Sequence, residues 1–228
     1  RLLLVIVGDI DPKEVQTRVA ATFGKLPRGN YKESPYPTLD FSKGTLDITS
    51  RPLPTNYVQG VFNAPSLNSP DYYAMRVAIA ILQSRVREEV REKRQLSYAP
   101  DANLGLYLSN TANIYVTAVD ANQAVSVMLN EINKLKTTSI NDDAIDGIAG
   151  FFLTVYYIDQ QTNAAQAGEL AKYELIGGGW RNAFGFLDKI RQVTPAEVQT
   201  AAQKYMKNIR FVVIGNPTAI NREIFIQN

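Results

Sequence analysis

The chain has 228 residues, 45% hydrophobic and 20% charged, which is the composition of a globular protein with a substantial core. Its 24 Lys and Arg residues nearly balance its 22 Asp and Glu residues and form no long basic run, so we expect no nucleic acid partner. The chain has no histidine and no cysteine, which excludes an imidazole base, a thiolate nucleophile and a zinc site of nitrogen or sulfur ligands within it. No apolar run is long enough to predict a membrane span.

The chain opens with an apolar run at residues 2–7, which we predict to be a buried strand. Asp11 and Pro12 follow as a helix cap and a first helical residue. A similar pattern returns near the end, where the predicted strand Arg210–Gly215 precedes Pro217. The two ends are therefore predicted to be copies of one unit. Because the first residue is arginine and leads directly into an apolar run, we expect a fragment of a longer protein with any targeting signal upstream.

The proline distribution predicts the domain organisation. Residues 1–26 are expected to be the C-terminal remnant of a preceding αβ unit. Five prolines occur in residues 27–54, and we predict a linker over 27–53 with a short strand possible at 45–49. Residues 54–228 then form the main α+β domain.

Regular patterns fill this main domain. A strand is predicted at 57–64, and a helix begins near Asp71 and extends to about residue 93. Two strands at 97–108 and 111–119 flank a short turn at Ser109 and Asn110, which favours an antiparallel pair. Helices are predicted at 121–137, 141–157, 162–176, 180–192 and 195–207, before the last strand at 210–215. The predicted fold class is α+β, with a mixed or antiparallel sheet covered by helices on one side.

Two features that resemble ligand sites have simpler structural interpretations. The glycines at 177–179 follow a helix and lack the lysine and hydroxyl of a phosphate-binding loop, so we predict a helix stop. The acidic pairs Asp9 with Asp11 and Asp142 with Asp143 lie at helix starts, where acids cap helices.

Arg91 and Tyr98 are the candidate functional residues. They stand seven positions apart at the end of the long helix. From the residues alone, two interpretations are open: a helix-end arginine near carbonyl groups with a strand tyrosine at the edge of the core, or a pair that binds a ligand.

The sequence around this pair resembles a known family. Residues 91–98 (REKRQLSY), together with 62–66 (FNAPS), 71–74 (DYYA) and 81–85 (ILQSR), are similar to the non-catalytic half of the insulinase and pitrilysin type of zinc peptidases. These inverzincins include the mitochondrial processing peptidases. The strand and glycine patterns at 5–11 and 212–215 are also similar to that family.

The resemblance implies a half-molecule of duplicated αβ units that faces a catalytic half, in the same chain or a separate subunit. That half carries a His-x-x-Glu-His motif and the zinc, and this chain holds no cofactor. In the family, the residues at the positions of Arg91 and Tyr98 reach into the active site and hold the peptide substrate. A guanidinium can donate paired hydrogen bonds to a carbonyl, and a phenol can donate one to a developing oxyanion. One departure is Gln95, where many members have glycine, and it puts the aim of Tyr98 in doubt.

The predicted function is the non-catalytic, substrate-binding half of a zinc peptidase that degrades or processes peptides. A structural or assembly subunit, as in inactive relatives of the family, is the alternative, and retention of Arg91 and Tyr98 favours the first. A small-molecule-binding domain ranks last and predicts one enclosed apolar pocket. Bacterial homologues imply the periplasm rather than the cytoplasm, which the missing cysteines permit.

Overall fold

The structure is a computed structural model that describes residues 2–226, apart from the side chain of Asp142. The strands found there are β1 (Thr45–Ser50), β2 (Asn56–Asn63), β3 (Asp101–Leu104), β4 (Thr111–Ala118) and β5 (Arg210–Gly215). The α-helices are α1 (Pro12–Ala21), α2 (Tyr72–Val86), α3 (Ala121–Thr137), α4 (Asp142–Asp159), α5 (Asn163–Ile176), α6 (Phe186–Arg191), α7 (Pro195–Tyr205) and α8 (Arg222–Ile226). Within this part of the chain, no helix has the length and apolarity needed to cross a membrane.

The strands form one mixed sheet in the order β1-β5-β2-β4-β3. The central strand β2 is antiparallel to both β4 and β5, and β3 is antiparallel to β4. β1 is parallel to β5 and comes from the predicted linker, at the place where a short strand was suggested. The predicted α+β class with a mixed sheet is confirmed.

Helices cover one face of the sheet and leave the other open. Along β2, Val58 and Phe62 are buried while Tyr57 is exposed, as expected for a strand with one solvated face. The buried face packs into a core with α2, α3 and α7, and α2 is buried along most of its length. On the open face, Val212 and Ile214 of β5 lie in the same exposed layer as Tyr57.

The start of α2 is fixed by Asp71. Its carboxylate accepts hydrogen bonds from the Lys204 ammonium at 2.6 Å and the Tyr205 hydroxyl at 2.7 Å, both from the end of α7. These hydrogen bonds hold the pKa of Asp71 below its usual range. The helix that carries the candidate site is therefore anchored at its first turn.

The prediction of a buried strand at residues 2–7 is wrong. This segment is not in a strand, and Leu2, Leu4 and Ile6 are exposed. No strand of residues 2–226 lies beside it to complete a hydrogen-bonded ladder, and an isolated apolar strand gains no stability from its pattern alone. The helix predicted next is present as α1, and the Asp11 side chain caps it by accepting from the Lys13 N–H at 2.9 Å.

The strand predicted at 97–108 is reduced to the four residues of β3. Pro100 has no N–H to donate to a ladder, so pairing begins only after it. At the other end, the chain enters a turn at Gly105. The Gly105 carbonyl accepts a hydrogen bond from the Asn110 side-chain amide at 2.9 Å. The antiparallel pairing of β3 and β4 is as predicted.

The predicted helices are mostly present within two residues of their expected ends. They correspond to α3, α4, α5 and α7. The helix predicted at 180–192 is instead a 3-10 turn at Trp180–Gly185 followed by α6. Gly178 and Gly179 have φ of +77° and +117° after the end of α5, which confirms the predicted helix stop. Asn141 caps α4, and the Asp142 side chain predicted to cap it lies outside the described part.

Candidate functional site

The candidate site lies where α2 changes its winding. Beyond Val86 the helix continues as a π-helical turn, Arg87–Glu92, in which the Lys93 N–H donates to the Glu88 carbonyl at 2.9 Å. Val90 within this turn is fully buried, and its carbonyl accepts from the Leu96 N–H at 2.9 Å. The turn is therefore anchored to the core beside Arg91, and the chain is folded back toward it.

Gln95 makes this reversal possible. Its φ is +53°, in the left-handed region that glycine adopts without steric cost. The resemblance led us to expect glycine at this position, and Gln95 takes a backbone conformation of the kind that glycine favours. The turn is kept, and it brings the following residues back beside the helix end.

Arg91 and Tyr98 meet as a stacked pair at the surface. The Arg91 guanidinium carbon lies 4.3 Å from the centre of the Tyr98 ring, within the range of a cation–π contact. Tyr98 is 80% exposed, whereas the preceding Ser97 is buried. The Ser97 hydroxyl accepts from the Ala99 N–H at 3.3 Å. The backbone is therefore held while the phenol is presented to solvent.

Ion pairs in the same segment engage its other basic residues. Hydrogen bonds from Lys93 and Arg94 lower the pKa of Glu89 to about 2, so this acid stays charged and holds both bases. The pairs are Arg87 with Glu92, Lys93 with Glu88 and Glu89, and Arg94 with Glu89. Within the described part of the chain, Arg91 makes no such pair. Its charge is available to a ligand.

The pair can bind and orient a ligand. A guanidinium held against a ring loses little conformational freedom when it donates two hydrogen bonds to a carbonyl or carboxylate, and the phenol adds a third donor. The chain's own residues do not fit a zinc site, since it has no histidine or cysteine. Nor do three or more acids cluster among the described residues. The chemistry of this surface is hydrogen-bond donation.

Replacing Gln95 by glycine is expected to stabilise the chain. Glycine removes the cost of a side chain in the left-handed region, and the gain is about 1 kcal/mol in the free energy of unfolding. Urea unfolding followed by circular dichroism measures it. Gln95→Ala keeps a Cβ and serves as the matched control, so equal stabilisation by alanine and glycine contradicts the strain at this position.

Comparisons with known proteins show which family and which solved structures this chain is similar to. The sequence profile of the family described as "Peptidase M16 inactive domain" matches residues 1–149, more than half of the chain. No curated protein matches the sequence significantly.

Solved structures share the fold at low sequence identity. A protease from Helicobacter pylori is 15% identical with a TM-score of 0.82, covering 92% of this chain and 53% of that one. A peptidase M16 inactive domain from Pseudomonas fluorescens is 18% identical with a TM-score of 0.75, covering 90% and 51%. A chain of complex III2 from Candida albicans is 20% identical with a TM-score of 0.72, covering 91% and 53%. The chain spans about half the length of these structures, and identities this low establish the fold alone.

Proposed function

The chain belongs to the family of peptidase M16 inactive domains, and from this premise we propose that it is the substrate-binding half of a zinc-dependent peptidase. Catalysis and zinc belong to a second half that carries the His-x-x-Glu-His motif, in the same full-length protein or in a partner subunit. This chain contributes Arg91 and Tyr98, which bind the backbone of a peptide substrate at the shared active site.

The observation that carries the proposal is the Arg91 guanidinium, which lies on an exposed phenol and makes no ion pair with any residue that the structure describes. An arginine that only stabilised the helix end would gain from the neighbouring acids, yet those acids pair with the other bases of the segment. An exposed tyrosine that packed for stability would bury its ring, yet Tyr98 does not. Tyr98 faces solvent, and Arg91 lies half-buried beside it on a turn anchored by buried Val90, which is the arrangement expected of groups that hold a ligand.

We also propose that residues 1–26 complete an αβ unit outside the sheet described here. Residues 2–7 expose an apolar run, and α1 buries none of its residues. A segment with these properties gains stability only by packing against another surface. Residues 54–228, together with strand β1 from the predicted linker over 27–53, form the domain that carries the candidate site.

Peptide hydrolysis by the intact parent assembly tests the proposed function. The assay measures the rate at which three enzyme samples hydrolyse a quenched fluorescent peptide. The samples are the untreated assembly, the chelator-treated assembly, and the assembly with the double variant Arg91→Ala/Tyr98→Ala. We expect chelator-sensitive hydrolysis that the double variant reduces at least 100-fold, since removal of one oxyanion donor alone costs about 100-fold to 1,000-fold. Full activity in a correctly assembled double variant contradicts the proposal.

A structural or assembly subunit is the second candidate function. It is favoured by exposed aromatic side chains at α4 and the neighbouring 3-10 turn, where Tyr157 and Phe184 are 63% and 65% exposed and line one surface depression. Exposed apolar groups at this density are typical of interaction surfaces. Absence of hydrolysis in all three samples, with the assembly intact, selects this candidate over the peptidase half.

A further inference from the structure

A second concave site lies at the opposite end of α2 from Arg91. It is a cavity of about 220 Å³ between α2, α4, α5 and α6, closed on one side by the chain that leaves β3. Leu104 and Leu106 form that side. Leu106 is 37% exposed and Asp159 is exposed, so the cavity reaches the surface beside them.

Aromatic rings make up much of the cavity wall. Tyr72 and Tyr173 are buried, Phe152 is 2% exposed, and Tyr156 stacks on Phe186 with a ring-centre distance of 6.2 Å. Burial raises the pKa of Tyr72 to about 12, so its hydroxyl stays protonated and can donate at neutral pH. Such a wall accepts a planar apolar group by stacking and edge contacts.

Arg76 places a positive charge on this wall. Its guanidinium carbon lies 4.8 Å from the centre of the Phe152 ring. Within the described part of the chain, Arg76 makes no salt bridge. The other charged residues of the cavity are paired or lie at its rim. Lys172 pairs with Glu169, and Asp159 is at the exposed end of α4. The inner cavity therefore combines an aromatic wall with one cation that has no carboxylate partner.

We propose that this cavity binds the C-terminal residue of a peptide when that residue is aromatic, with the side chain against the aromatic wall and the free carboxylate on Arg76. A guanidinium donates one hydrogen bond to each of the two oxygens of a carboxylate, and a peptide carbonyl in mid-chain has neither the second oxygen nor the negative charge. A peptide amide or a small C-terminal side chain satisfies only half of the site.

The distance between Arg76 and Arg91 predicts which bond of a bound peptide reaches Arg91 and Tyr98. This prediction rests on the proposed function. The two arginines are fifteen residues apart on α2 and its π-helical extension, so about 22 Å separates them along the helix axis. The chain from Tyr98 to Leu104 runs back over a similar length. An extended peptide covers about 22 Å in six to seven residues. A peptide anchored in the cavity by its C-terminus therefore presents a bond six to seven residues upstream to Arg91 and Tyr98.

Binding to the 228-residue chain tests the cavity without any partner. Fluorescence anisotropy compares labelled hexapeptides that end in free Phe, in Phe amide and in free Gly. The free acid of Phe is expected to bind about 10-fold to 100-fold more tightly than either of the others, the range of a hydrogen-bonded charge pair. Equal binding of acid and amide, or no binding of the free acid, overturns the proposal.

Two variants and one control variant assign the effect to the cavity. Arg76→Met should abolish the preference for the acid over the amide, whereas Arg181→Met should leave it unchanged, because Arg181 stacks on Trp180 outside the cavity. Leu106→Trp, at a partly exposed rim position, should fill the cavity and abolish the binding of the free acid. Persistence of the preference in Arg76→Met, with unfolding by urea unchanged, rules out Arg76 as the carboxylate ligand.

A length series with the parent assembly tests the spacing separately. Peptides ending in free Phe are expected to be cut six to seven residues from their C-terminus, and Arg76→Met should abolish this preference without abolishing hydrolysis. Cleavage at unrelated positions, with binding to the cavity intact, overturns the spacing alone. Absence of any hydrolysis overturns the proposed function, while the binding titration still decides the cavity.

Discussion

Tyr98→Phe is expected to lower the turnover number of the proposed peptidase assembly by about 100-fold to 1,000-fold while changing KM by less than about threefold. The phenyl ring can still stack beneath the Arg91 guanidinium, which lies 4.3 Å from the ring centre, so binding of the substrate ground state is kept. Only the hydroxyl is removed, and that donor is the one available to an oxyanion. Steady-state hydrolysis of a quenched fluorescent peptide measures both constants.

A matched tyrosine provides the control for this variant. Tyr107 is 65% exposed in the connection between β3 and β4, and Tyr107→Phe removes a hydroxyl of the same exposure class away from Arg91. We expect its turnover to stay within about twofold of wild type, as for a surface change outside the site. A loss confined to KM in Tyr98→Phe would instead assign the tyrosine to substrate binding and not to stabilisation of the transition state.

Local signals made most of the fold predictable. Asp11 with Pro12 and Thr194 with Glu197 mark the starts of α1 and α7, and the latter forms a complete capping box. These signals depend on neighbours three or four positions away, so the sequence contains them fully. The prediction of a strand at residues 2–7 was wrong because it depended on a distant part of the chain. An apolar pattern specifies a strand only where another strand is present to pair with it.

The candidate site was predictable in its residues but not in its geometry. The resemblance of the segments around Arg91 and Tyr98 to a known family singled out the pair as a candidate, and the structure adds that the two side chains contact each other. The burial of Val90 follows from the apolar face of the helix, but the π-helical turn, the left-handed Gln95 and the return of Leu96 toward Val90 are not indicated by any local pattern. Arg76 was missed altogether. Its position one turn after Tyr72 was visible, but the cavity depends on rings from α4, α5 and α6 that only the fold brings together.

The largest expected effect on stability comes from Phe211 in β5, the strand between β1 and the central strand β2. Phe211 is fully buried in β5, and its ring packs edge-on against Phe225 with a centre distance of 5.2 Å. Phe211→Ala is expected to lower the free energy of unfolding by about 3–5 kcal/mol. The variant loses the free energy of burying the ring, and it leaves a cavity that the sheet cannot close. Urea unfolding monitored by circular dichroism measures it. Val212→Ala, on the open face of the same strand, should cost less than about 0.5 kcal/mol.

Gly60 of β2 is the cross-strand partner of Phe211, so a double variant of the two residues tests how the ring packs. A Cβ at residue 60 would lie 2.5 Å from Cε1 of Phe211, so Gly60→Ala alone should destabilise by about 1–3 kcal/mol through overpacking. In Phe211→Ala the same methyl group enters space that the ring has vacated and recovers some of the lost contacts. The double variant should therefore be less destabilised than the sum of the single variants by about 1 kcal/mol or more. Simple additivity would show that the glycine is required by the Ile209 side chain, whose Cγ2 would lie 2.8 Å from the same Cβ, or by the backbone of β2, and not by the Phe211 ring.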